Sequence, residues 1–142
     1  MESKTLKQLN TDALAYIGDS VYEVFVRERV LESGTVKAAN LHRASTKYVK
    51  AKAQAEVIRT MFDSLTEEEQ RLVKRARNHR YNSKAKNADP VTYKWATAFE
   101  ALIGYLHLAG EEERLAWAME TAACIVEGTY NGTYNAEKDG SR

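Results

Sequence analysis

Apolar residues along this chain recur three and four positions apart, the spacing of a helix face, and nowhere sustain the alternation of a strand. Leu14, Ile17, Val21, Val24 and Phe25 mark the expected buried stripe of a first helix, capped by Asn10 or Thr11 and ended at Gly34. A second helical region is expected from Val36 to Phe62, with a break near Ser45 and Thr46. Its Ala51, Ala53 and Ala55 suit tight packing on one side, while Lys47, Lys50 and Lys52 suit solvent or a ligand on the other. Thr66-Glu67-Glu68-Glu69 has the form of a capping box and opens a short basic helix that ends around Asn78. The apolar period vanishes from His79 to Ala88, where a mobile loop is expected. Asp89-Pro90 restarts helix, with Asp as the cap and Pro preset at the first helical position. That helix reaches Leu108 and ends at Gly110; a last one, from Glu111 to Glu127, stops at Gly128. The expected fold class is therefore all-α, with five helices in one domain over residues 1–128 and a flexible tail over 129–142.

Composition narrows the picture. With 142 residues, 44% of them hydrophobic, the chain can bury a substantial core. No uncharged apolar run nears the ~18 residues of a membrane span. The first residues carry Glu2, Lys4 and Lys7 with no apolar block behind them, so no secretory signal is expected and a cytoplasmic location is. The lone Cys124 excludes an internal disulfide and a cysteine-based zinc site, and His42, His79 and His107 show no zinc spacing.

Net charge is only +1, but residues 71–94 hold eight basic side chains against the single acid Asp89. That segment carries about +7 and the remainder about −6, an asymmetry suited to a polyanion meeting one face. A solvated helix face with a loop would look the same.

Two segments carry the candidate chemistry. Tyr16-Ile17-Gly18-Asp19-Ser20 and Phe99-Glu100-Ala101-Leu102-Ile103-Gly104 each set a carboxylate near a glycine within an apolar helix. A mid-helix glycine costs ~1 kcal/mol relative to alanine, and an unpaired buried carboxylate costs more. On its helix Glu100 lies between Ala96 and Gly104, one turn away on either side, which leaves room for an ion, water or an opposing helix. If the helices cross at the glycines, Asp19 and Glu100 can share one hard cation; otherwise both are ordinary surface acids.

The segment from Tyr16 to Val21 resembles the signature helix of the ribonuclease III catalytic domain, and Ala98 to Gly104 resembles that family's second motif. Leu41-His42-Arg43 and Lys50-Ala51-Lys52-Ala53-Gln54-Ala55 are most similar to its Mini-III branch, which consists of the catalytic domain alone. The resemblance spans residues 9–127 and implies a helical bundle of the ribonuclease III endonuclease type. It implies Mg²⁺-dependent hydrolysis of double-stranded RNA, leaving 5′-phosphate and 3′-hydroxyl ends, by a homodimer joined through the signature helix. Asp19 and Glu100 match the catalytic, metal-binding acids. Two further family carboxylates are replaced here by Ala15 and Thr97. Glu23 and Asp12 are candidates for contacts just outside the cation's own ligands. Without a separate RNA-binding domain, Lys74, Arg75, Arg77, Arg80, Lys84 and Lys86 would grip the duplex. The resemblance further implies maturation of large-subunit (23S) ribosomal RNA precursor, aided by a ribosomal protein. Two alternatives stay open at this point: a non-catalytic double-stranded-RNA-binding module of the same fold, and a helical protein-interaction domain without RNA affinity.

Overall fold

The structure is a computed structural model that describes residues 1–34, 36–79 and 89–132. Among these residues the fold is all-α: α1 (Ser3–Gln8), α2 (Thr11–Glu32), α3 (Ala38–Val49), α4 (Ala51–Met61), a 3₁₀ turn (Phe62–Ser64), α5 (Glu67–Asn78), α6 (Pro90–Leu108) and α7 (Glu112–Glu127). The anticipated caps form. Asn10 accepts from the Ala13 N–H, and Thr66 and Glu69 bond reciprocally across the first turn of α5. The Asp89 side chain accepts from both the backbone N–H and the hydroxyl of Thr92. Gly128 ends α7 in the left-handed region, φ 80°, where its lack of a Cβ removes the steric cost.

The helix count departs from five in two places. The short α1 escapes periodicity because it buries only Leu6; the Met1 amino group ties it down by donating to the Leu108 carbonyl at 3.0 Å. The region from Val36 to Phe62 breaks at Lys50, not near Ser45 and Thr46: Lys50 has extended backbone (φ −63°, ψ 149°) between α3 and α4. No glycine or proline marks the position. The turn separates two anchored side chains, Tyr48, which donates to Glu127, and the buried Gln54 of α4, so packing and not local propensity sets the corner.

At the centre lies α6, buried from Ala96 to Phe99 and from Ala101 to Gly104, with α2, α4 and α5 packed around it. The buried face of α2 is Thr11, Leu14, Ala15, Gly18, Tyr22, Val26 and Val30. Of the expected stripe only Leu14 is fully buried; Ile17, Val21 and Phe25 are half-buried and Val24 is exposed. The rotation follows from Gly18, the position at which α2 can touch the α6 backbone. Tyr22 consequently enters the core, edge-on to Phe99 with ring centroids 4.8 Å apart. No described helix is long and apolar enough to cross a membrane.

Candidate functional site

The acidic pair sits where α2 crosses α6. A Cβ built on Gly18 would overlap the Glu100 carbonyl oxygen and lie 2.8 Å from the Gly104 nitrogen. One built on Gly104 would overlap the Leu14 carbonyl and lie 3.0 Å from the Gly18 nitrogen. Each glycine thus admits the other helix's backbone. This reciprocal contact brings the next side chain on α2, Asp19, within hydrogen-bonding reach of Glu100.

The pair is asymmetric: Asp19 is exposed and Glu100 half-buried. Burial pushes the Glu100 carboxyl up to about 8, helped by the nearby Asp19 charge and by the hydrogen bond that protonated Glu100 donates to Asp19. Opposing these, the Gln54 side chain hydrogen-bonds to Glu100 and favours its ionised form. Glu100 therefore keeps its proton to higher pH than an ordinary carboxyl, and a divalent cation bound beside it would displace that proton. One exposed and one half-buried carboxylate meeting at a helix crossing suit a hard divalent cation, with water and phosphate oxygens completing its shell. No cluster of three acids, histidines or cysteines able to hold a metal occurs among the described residues.

Neither replaced family position adds a ligand. Ala15 is a buried methyl, and the Thr97 hydroxyl donates to the Tyr93 carbonyl of its own helix at 2.9 Å. Asp12 lies 3.3 Å from the Nε2 of His79, an ion pair when the imidazole is protonated, and so ties the start of α2 to the end of α5. Glu23 pairs with Arg27 at 3.0 Å and lines a groove of about 380 Å³ with Val30, Leu31, Leu41 and His42. Gln54 is a site residue that the sequence motifs do not reveal. Its signal was a polar side chain at 54 sharing a helix face with Ile58 and Met61, where a buried amide needs a partner.

Of the expected RNA contacts, Lys74, Arg75 and Arg77 lie on α5; Arg80, Lys84 and Lys86 lie outside the described residues. Lys74 and Arg75 are exposed, and Lys74 rests its ammonium 5.8 Å from the Phe62 ring. Arg77 is half-buried over Trp95 at 4.9 Å, and Arg59 meets the same ring at 5.2 Å. Trp95 is thus a partly exposed platform between two guanidinium groups. A second basic surface follows α3 into α4: Lys47, Lys50 and Lys52 line a groove of about 320 Å³.

A helix crossing closed by two glycines, with two carboxylates meeting beside it, gives this helical fold an acidic centre. The chain belongs to the ribonuclease III family, whose model, described as the Ribonuclease III domain, matches residues 12–111. It is 51% identical over 119 residues to the Mini-ribonuclease 3 of Brevibacillus brevis, covering 84% of this chain and 89% of that one. To the Mini-ribonuclease 3 of Symbiobacterium thermophilum it is 49% identical over 114 residues, covering 80% and 88%. A crystal structure of a Fusobacterium nucleatum protein shares the fold with a TM-score of 0.73 at 27% identity, covering 85% of this chain and 94% of that chain. The protein is an endoribonuclease of the ribonuclease III type, a class that acts on double-stranded RNA and generally uses a divalent metal.

Proposed function

We propose that the chain is a Mg²⁺-dependent endoribonuclease that cuts double-stranded RNA, with Asp19 and Glu100 as the metal-holding, catalytic acids. The reading rests on one observation: the two carboxylates meet at the Gly18–Gly104 crossing, inside the segment that matches the family. Residues 1–128 form the catalytic domain. When bound, the cation lowers the pKa of water toward neutrality and neutralises charge on the phosphate oxygens. Asp19, solvent-facing, offers oxygens on the open side of the site. Glu100, held from behind by Gln54, closes the other side and must shed its proton for the pair to be fully charged. Lys74, Arg75 and Arg77 draw the phosphate backbone along α5.

The protein acts as a homodimer through the exposed side of α2, with one site for each strand of the duplex. Its substrate is precursor 23S ribosomal RNA in the cytoplasm, shaped by a ribosomal protein. Incubation with that precursor and with a plain RNA duplex, in Mg²⁺ or in EDTA, tests this reading. Cutting in Mg²⁺ but not in EDTA is expected, giving 5′-phosphate ends. Binding without cutting in either condition would favour a non-catalytic RNA-binding module. Cutting of the plain duplex but never of the precursor would remove the ribosomal assignment alone.

A further inference from the structure

We infer that Gln54 is a positioning residue for the acidic pair: its buried amide holds the Glu100 carboxylate in the orientation from which it and Asp19 grip a divalent cation. The inference rests on the metal-site reading above and assigns a role to a third helix. On the inward face of α4 the buried residues are Ala53, Gln54, Ala55, Val57, Ile58 and Met61, and Gln54, 3% exposed, is the one polar member. A buried amide needs hydrogen-bond partners, and the Gln54 side chain has one in Glu100.

Glu100 needs such support for a geometric reason. The Gly18–Gly104 contact holds Glu100 by its backbone carbonyl and not by its carboxyl group. Its neighbours one turn away are Ala96 and Gly104, too small to wedge a carboxylate in place. The Ala15 methyl offers no hydrogen bond, and the Thr97 hydroxyl is spent on the Tyr93 carbonyl. Apart from Asp19, its partner in the pair, support therefore comes from α4. Ala53 and Ala55 keep that helix thin beside Gln54. An N–H donated to one carboxylate oxygen selects a rotamer and directs the other oxygen outward, and removing such a support costs metal affinity about 10–100-fold.

The test compares wild type with Gln54→Met, which keeps length and apolar fit, and Gln54→Asn, which keeps the amide but shortens its reach. Each is titrated with Mg²⁺ alone, following the metal-induced rise in melting temperature, and with Mg²⁺ plus duplex RNA, following the cleavage rate. Both variants should need about 10–100-fold more Mg²⁺ for half-effect in each readout, with much of the wild-type rate recovered at saturation. A half-effect concentration within about twofold of wild type in a folded variant, or loss of cooperative unfolding in both variants, overturns the positioning role. A wild-type protein that shows neither a Mg²⁺-dependent melting shift nor Mg²⁺-dependent cutting would instead defeat the metal-site reading itself.

Discussion

Gly18 and Glu100 touch backbone to backbone: a Cβ at position 18 would overlap the Glu100 carbonyl oxygen and lie 2.7 Å from its carbonyl carbon. The contact that packs the two longest helices is therefore also the one that assembles the acidic pair. Gly18→Ala has no flexible side chain to push aside and must separate α2 from α6. Overpacking typically costs 1–3 kcal/mol, and with backbone as the obstacle a loss of about 3 kcal/mol or more is expected. Urea denaturation of Gly18→Ala and Gly104→Ala measures it, with Ser20→Ala, on the exposed face of α2, as the control that stays near wild type.

Glu100 should make the metal-free protein less stable as pH rises. Unfolded, its carboxyl ionises near the ordinary 4.5; folded, it does so at about 8, chiefly because burial disfavours the charge. Between those values the native state keeps a proton that the unfolded chain has released, so stability falls as pH climbs from about 4.5 toward about 8 and then levels off. At about 1.36 kcal/mol per unit, partial solvent access leaves a loss on the order of 3 kcal/mol. Glu100→Gln should flatten this dependence and be more stable than wild type at pH 8 in EDTA. Unfolding curves at pH 5 and pH 8 in EDTA check it; equal slopes in both proteins would refute it.

Helix ends were legible from sequence where one residue decides them. Thr66 with Glu69, Asp89 with Pro90, and Gly128 each satisfy or release local backbone groups, and each cap forms. The corner at Lys50 was not legible, because what turns the chain is distant packing of Tyr48 and Gln54, with no local signal. The buried face of α2 departs from its apolar stripe for a related reason. A count of apolar residues favours Val21 and Val24, whereas contact with another backbone is decided by a residue with no side chain. In the site, the glycine-acid pairs pointed to the crossing of two helices. A third helix reaching in with an amide left only a polar letter between alanines.

Asp19→Asn separates chemistry from folding. Asp19 is exposed, so a neutral isostere costs little stability and removes one unit of charge that disfavours ionised Glu100. Melting temperature in EDTA should stay near or above wild type. Cleavage of duplex RNA in Mg²⁺ should fall about 10²–10³-fold, the equivalent of a few kcal/mol of lost charge stabilisation. Single-turnover cleavage with saturating enzyme reads this, and near-normal turnover would remove Asp19 from the mechanism.

Arg75 and Arg77 are two residues apart on α5 yet should fail differently. Arg75 is exposed, so Arg75→Ala should weaken duplex binding, lower the slope of log K against log salt by about 1, and leave melting unchanged. Arg77 also covers Trp95, so Arg77→Ala should lose stability as well, by about 0.5–1 kcal/mol. Binding titrations at several salt concentrations, beside thermal melts, tell the two apart. An unchanged slope for both would mean that α5 does not touch phosphate.

Tyr16 is 78% exposed and Val24 58%, with Ser20 between them at one-turn spacing along α2. Large apolar side chains aligned on the solvent side of a helix that buries its opposite face fit a surface covered by a second copy. This strip also borders Asp19, so pairing two copies there would set both acidic centres beside one duplex. A carboxylate inserted into the strip must be desolvated if the surfaces meet, which makes Tyr16→Asp a stringent probe. Sedimentation velocity should find wild type as a dimer and Tyr16→Asp as a monomer, with the fold intact by circular dichroism. Cleavage by the monomer should shift from double-strand cuts toward nicks, because a single site meets a single strand. A Tyr16→Asp protein that still sediments as a dimer would locate the contact elsewhere on the molecule.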